Sequence, residues 1–301
     1  MSAYLKALRA PFLTGSLTPI LAAAALAFLR EGTIQWSFLG ACLIGVGGVH
    51  LGANLLNDFA DAHDTDPINQ RVTPFSGGSR VIQEGQMSRR AVLIYALGWL
   101  ALGFVMGLYL YYNGRPWVGL WGLLGLGAGV VYSLRPAYLM GRGLGEGAIF
   151  LAFGPLLTLG AYYALTGQTS LIAASLGVIP GLLITAVIWI NEFPDVPADG
   201  GVGKANLVVR LGLAKSRWVY LILMTVPFAY LFVLAFTHQL GWLVLLGLAA
   251  LPLALAGVVT TVRSYPFHGE VVKAQAKTIQ THLILTLLLA VALVVERLVR
   301  A

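Results

Sequence analysis

Apolar stretches of near-constant length recur along the chain, at about 12–29, 36–57, 90–112, 117–134, 147–166, 171–194, 216–236, 241–262 and 280–298, each separated by a polar break. Stretches of this length match the hydrocarbon thickness of a bilayer. No strand-like alternation at barrel spacing is present, so helices are the spanning elements. The pattern predicts an all-α polytopic membrane protein of nine transmembrane helices, forming a single domain over 1–301. Local signals agree with the division: Asn113-Gly114-Arg115-Pro116 separates spans three and four, Ser88 is placed to cap span three, and Gly167-Gln168 separates spans five and six.

Composition supports the class, with 58% hydrophobic and 10% charged residues and a mean hydropathy of +0.82. The single cysteine, Cys42, lies in an apolar stretch and reads as a packing residue. Lys6 and Arg9 ahead of Thr14–Leu29 resemble the start of a secretory signal, with small residues at Ala25 and Ala27. Pro19 interrupts that stretch, and it is read as an uncleaved first span. The net charge of +7 comes from basic residues scattered between spans, which argues against nucleic-acid binding. With a cytoplasmic N-terminus, fifteen Lys and Arg fall on the cytoplasmic side and only Arg30, Arg115, Arg297 and Arg300 on the other. This satisfies the positive-inside rule and places the C-terminus outside the cytoplasm. The predicted location is the inner (plasma) membrane, with no obligate protein partner.

Two polar segments, roughly 58–88 and 195–215, exceed the other connections and share the cytoplasmic side. The first follows Asn54-Leu-Leu-Asn57-Asp58-Phe-Ala-Asp61, and the second opens within Asn191-Glu192-Phe-Pro-Asp195-Val-Pro-Ala-Asp199. Asn54 and Asp58 recur as Asn191 and Asp195 at an offset of 137 residues, an echo of the kind that internal repeats leave in membrane proteins. On a helix, Asn54, Asp58 and Asp61 share a face, as do Asn191 and Asp195. Carboxylates gathered at membrane depth and at helix C-termini repel one another and need a positive species. Oxygen-only donors favour Mg²⁺, which usually completes its shell with water and phosphate oxygens. The expected metal set is therefore Asn54, Asp58, Asp61, Asn191, Asp195 and Asp199, with the four aspartates catalytic.

Arg71, Arg80, Arg142, Lys204 and Arg210 supply cations for the remaining phosphate charge. Gly77-Gly78 gives flexible backbone beside Arg80. Tyr132-Ser133 ends span four on the same side, where Tyr132 is either an interfacial aromatic or a shelter for an allylic cation. His63 and His268 read as loop residues, and His50 as a histidine satisfied by a hydrogen bond inside span two.

With these residues in view, the chain resembles the UbiA superfamily of intramembrane prenyltransferases, and within it the branch acting on 1,4-dihydroxy-2-naphthoate. The resemblance is carried by Asn54 through Asp61, Phe75–Ile82, Tyr132-Ser133, Gly143–Glu146, Phe153–Pro155, Asn191–Asp195, Gly203-Lys204 and Val209–Gly212. It departs from the superfamily's first motif at Thr65, where a last carboxylate is expected. Asp64 and Asp66 flank that position and are left out of the metal set.

The resemblance implies a bundle around a central cavity that opens toward the cytoplasm and laterally, and Mg²⁺-dependent transfer of a polyprenyl group from its diphosphate to an aromatic, naphthoate-type acceptor. Diphosphate binding then falls to Arg80, Tyr132, Ser133, Arg142, Lys204 and Arg210. Alternative acceptors are 4-hydroxybenzoate or a glycerol-phosphate lipid. A rival class is a cation-coupled transporter, whose polar residues belong nearer mid-span.

Overall fold

The computed structural model describes residues 2–237 and 239–300. Its helices are α1 (Ala3–Leu8), α2 (Thr14–Glu31), α3 (Trp36–Asp61), α4 (Arg89–Tyr112), α5 (Val118–Ser133), α6 (Gly145–Phe153), α7 (Pro155–Thr166), α8 (Leu171–Leu176), α9 (Val178–Gly201), α10 (Leu207–Leu211), α11 (Leu213–Phe236), α12 (Leu251–Ser264) and α13 (His268–Arg300). Among the described residues, eight helical runs are long and apolar enough to cross a bilayer, and a further apolar run, α5, has 16 residues. The chain is a multi-span membrane protein. Ser88 caps α4, its Oγ accepting from Ala91 N at 3.1 Å, as the sequence suggests.

Small residues set the closest helix approaches, because lipid offers apolar side chains no gain on leaving it and close backbone contact must supply the attraction. Gly45, Gly48 and Gly52 of α3 face α4, where a Cβ on Gly48 would lie 2.8 Å from Trp99 O. Two helix breaks are also packed together. Gly154, between α6 and α7, sits where a Cβ would come 2.6 Å from Gly177 O, between α8 and α9.

Two expected boundaries differ. The second acidic motif is not the start of a loop, since α9 continues through Pro194 and Pro197 to Gly201. Each proline removes one backbone hydrogen bond and favours a kink or an end, yet Phe193, Pro194, Ala198 and Asp199 are buried, and this packing keeps the segment helical. The last span begins at His268, some distance before the expected apolar window, because its first turns are amphipathic: Glu270 and Lys273 pair at the surface while Ala274, Gln275 and Thr278 are buried.

Candidate active site

A cavity of about 700 Å³ runs through the bundle, lined by residues of α2 to α7, α9 and both polar segments. One end is polar and holds Asn54, Asn57, Asp61, Asp66, Asn69, Asn191, Glu192, Asp195, Asp199, Lys204 and Asn206; the rest is mostly apolar and glycine-rich, with Arg9, Ser16 and His50 among its polar exceptions. Phe104 and Leu108 of α4 and Leu123 of α5 line the cavity and are also exposed, so the apolar part opens sideways between these helices.

The two acidic motifs meet as the sequence predicts, at the ends of α3 and α9. Lys204 bridges them, with Nζ 3.4 Å from Asp61 Oδ2 and 3.4 Å from Asp199 Oδ1. Burial opposes the lysine's charge, but Asp61 and Asp199 outweigh it and hold its pKa well above the usual lysine range. Asn side chains fix the carboxylates: Asn57 donates to Asp61 at 3.2 Å, Asn69 to Asp195 at 2.7 Å and Asn206 to Asp199 at 2.8 Å. Asn57, Asn69 and Asn206 are absent from the set expected from sequence, although Asn57 stands within the quoted motif.

Asp58 shares the helix end but not the cavity wall, and is 3% exposed. It accepts hydrogen bonds from the backbone N–H and the hydroxyl of Ser79, and Arg9 lies 3.9 Å away. The Gly-Gly pair makes this possible. Gly77 and Gly78 both have positive φ, and a Cβ on Gly78 would come 3.0 Å from Asp66 Oδ2 and 3.3 Å from Asp58 Oδ1. The flexible backbone therefore does approach an anion, and the anion is the chain's own carboxylate.

Asp66 lies in the acidic cluster although the sequence reading sets it aside. A short 3₁₀ turn, Asp66–Ile68, returns the loop to the cavity and buries this side chain. Burial, with Asp61 and Asp58 adding to it, pushes the Asp66 pKa up to about 8, only partly offset by Arg80 and Lys204. Asp64 stays half-buried at the surface, 3.8 Å from Arg135.

The expected diphosphate set divides. Lys204 and Tyr132 are on the cavity wall. Ser133 is buried beside it with an unpartnered Oγ. Arg80, at positive φ, spends its guanidinium on the Asp66 carbonyl. Arg142 and Arg210 are exposed and off the wall: Arg210 donates to the carbonyls of Ala205 and Arg142, both at 2.7 Å, and so fastens the loop before α10. Arg9 does line the cavity. The positive-inside rule had already accounted for its charge, so the sequence carried no separate signal for it.

The donor set suits a hard divalent cation. Asp61 Oδ1 and Asn191 Oδ1 are buried without hydrogen-bond partners, and oxygen dominates the ligands at hand. Among the described residues no three Asp, Glu, His or Cys side chains form a ready cage. That is the situation in which Mg²⁺ relies on phosphate and water oxygens for most of its shell.

Residues 16–268 match the UbiA prenyltransferase family. Over 244 residues the chain is 32% identical to the 1,4-dihydroxy-2-naphthoate octaprenyltransferase of Mycobacterium tuberculosis, covering 81% of this chain and 80% of that one. Identity to the enzyme of the same name from Escherichia coli is 31%, with 81% and 80% covered. Among solved structures, the fold is similar to that of a UbiA homolog from Archaeoglobus fulgidus bound to GPP and Mg2+, with a TM-score of 0.63 at 14% identity over 95% of this chain and 99% of that one.

Proposed function

Since the chain belongs to the UbiA prenyltransferase family, we propose that it transfers a polyprenyl group from its diphosphate to 1,4-dihydroxy-2-naphthoate in a Mg²⁺-dependent reaction that releases pyrophosphate. The observation that carries this reading is the joining of two facing acidic motifs to one laterally open apolar cavity. The names of the relatives from M. tuberculosis and E. coli support the acceptor. Carboxylates at one end, rather than at mid-span, speak against a cation-coupled transporter.

Asn54, Asp61, Asn191, Asp195 and Asp199 would hold the metal, joined by Asp66; Asp58 would ligate only on releasing Ser79. When bound, Mg²⁺ supplies positive charge that neutralises the diphosphate as the C–O bond breaks. Lys204, standing between Asp61 and Asp199, would donate to the leaving oxygens. Tyr132, on the wall beside them, presents a ring to the allylic cation. The apolar walls exclude water, so the cation survives to be captured by an electron-rich ring carbon. The acidic end faces the cytoplasm in this reading, so the released pyrophosphate leaves into water.

The test is purified protein in lipid with Mg²⁺, labelled polyprenyl diphosphate and a panel of 1,4-dihydroxy-2-naphthoate, 4-hydroxybenzoate and a glycerol-phosphate lipid, with the product identified by mass. Prenylation of the naphthoate alone, lost on chelation and in Asp195→Ala, is expected. Preferred use of another acceptor overturns the assignment.

A further inference from the structure

Among the polar groups of the cavity that the diphosphate chemistry does not use, His50 stands apart from the acidic end. His50 lies on α3 one turn before Asn54, on the same face and farther from the helix end. Its Nδ1 is 2.5 Å from the hydroxyl of Ser16 on α2, and Phe153 of α6 meets its ring edge-on with centroids 5.5 Å apart. Ser16, His50, Phe12 and Phe153 all line the cavity.

The pair is held in place: Ser16 is 1% exposed and His50 8%. The second ring nitrogen, Nε2, has no hydrogen-bond partner among the described residues, and it is not among the fully enclosed unpartnered atoms. What exposure His50 retains is thus toward the cavity it lines. His282 of α13 is the contrast, since its Nε2 is enclosed without a partner and does not line the cavity. An imidazole fixed at one nitrogen presents the other in a defined direction.

We propose that the Ser16–His50 pair recognises the acceptor, with Nδ1–H donating to Ser16 Oγ and Nε2 accepting from a ring hydroxyl of the aromatic substrate and taking its proton. The assignment rests on the prenyltransferase reading above. It puts the acceptor one turn inward of the acidic end, next to the carbon that loses diphosphate, with Phe12 and Phe153 as apolar neighbours. Arg9, on the same wall and 3.9 Å from Asp58, is the cation within this region for a carboxylate on the acceptor.

The step balances without an external oxidant or reductant. The C–O bond of the donor breaks with its electron pair leaving on pyrophosphate. The ring carbon next to the hydroxyl, which bears the carboxylate in a hydroxynaphthoate, gives a π pair to the allylic carbon and forms the new C–C bond. Positive charge then rests on the hydroxyl-bearing carbon and is discharged when O–H passes its proton to Nε2, leaving a ketone. The carboxylate leaves as CO₂, its bond pair restores the aromatic ring as an oxyanion, and the His50 proton returns to that oxygen.

His50→Asn keeps a polar atom near the Nδ1 position but nothing at Nε2, and His50→Gln places an amide near Nε2 that accepts a hydrogen bond without taking a proton. Steady-state kinetics with Mg²⁺, polyprenyl diphosphate and 1,4-dihydroxy-2-naphthoate should show kcat for transfer reduced by about hundredfold or more in His50→Asn, the size expected of a lost acid–base group. The donor KM should be unchanged, as should Mg²⁺-dependent binding of a prenyl thiodiphosphate, which also reports folding. His50→Gln should restore acceptor KM but not kcat, and Ser16→Ala should raise acceptor KM alone. Wild-type acceptor kcat/KM in His50→Asn, or loss of donor binding together with transfer, overturns the inference while leaving the family reaction intact. Failure of the wild-type protein to prenylate any hydroxyl-bearing aromatic overturns both.

Discussion

Asn69 Nδ2 donates a 2.7 Å hydrogen bond to Asp195 Oδ1, tying the loop after α3 to the end of α9 across 126 residues of chain. Asn69 Oδ1 in turn accepts from the backbone N–H of Arg71 at 2.9 Å, so the amide cannot rotate freely. Asp195 is thus aimed by the opposite acidic motif's loop. Asn69→Ala should lower kcat/KM for the prenyl diphosphate by about tenfold or more, the equivalent of about 1.4 kcal/mol, close to the lower bound for a lost hydrogen bond to a charged group. Titrating Mg²⁺ should show the loss shrinking as the metal saturates. A Mg²⁺-independent loss would assign Asn69 a folding role instead.

Lys204 stands between Asp61 and Asp199 at 3.4 Å from each, the position of a counter-ion between two motifs that would otherwise repel. Removing one partner of a buried ion pair leaves the other uncompensated. Lys204→Met should therefore raise the donor KM by about ten- to hundredfold through the lost charge-assisted hydrogen bond. It should also lower the melting temperature of the metal-free protein, with Mg²⁺ and diphosphate recovering part of that loss. An unchanged donor KM would remove Lys204 from the diphosphate site.

Asp66 gives a pH signature of its own. With its folded pKa raised to about 8 by burial and neighbouring carboxylates, the folded protein holds a proton there that the unfolded chain has already lost. Stability from this group is therefore full below the ordinary aspartate pKa and falls as pH rises toward 8. Metal-free protein in detergent should melt at progressively lower temperature across that interval, and Asp66→Asn should flatten the slope. A slope unaffected by the substitution would place the titration elsewhere.

Arg142 and Arg210 make the opposite kind of prediction, because charge in the sequence does not say where a long side chain reaches. Both are exposed, and Arg210 holds the carbonyls of Ala205 and Arg142. Arg142→Ala should leave the donor KM within about twofold, as expected for a surface substitution. Arg210→Ala should act on stability, by loosening the loop that carries Lys204 and Asn206. A large donor KM effect from Arg142→Ala would restore it to the site.

What the sequence made legible follows from where physics leaves a one-dimensional trace. Apolar runs marked where the helices lie, although α9 runs on to Gly201 and α13 begins at His268, both beyond their apolar windows, and carboxylates at membrane depth marked Asp61, Asp195 and Asp199. Asp66 left no such trace, since only the 3₁₀ turn after Thr65 brings it back to the cavity. Pro194 and Pro197 pointed to a helix end, and tertiary burial overruled that local preference. Arg9 was hidden by a sufficient topological explanation. His50 was readable as a satisfied buried histidine, but its partner, Ser16, lies 34 residues away on another helix.

The apolar part of the cavity offers a test of where the prenyl tail lies. Gly122 and Gly125 of α5 line it, and a Cβ at either position would meet no atom within 4 Å, so a larger side chain there projects into open space. Neither has a positive φ, and replacing glycine inside a helix carries a propensity gain of up to about 1 kcal/mol. Gly125→Phe should therefore fold and keep its acidic end intact while filling the cavity next to Leu123 and Leu126. Turnover with geranyl diphosphate should be close to wild type, and turnover should fall progressively through farnesyl and geranylgeranyl to octaprenyl diphosphate. Competition assays with mixed donors would show the shift directly in product mass. An unaltered chain-length profile would mean that the tail leaves the acidic end by another path, and the opening between α4 and α5 would then serve the acceptor or product instead.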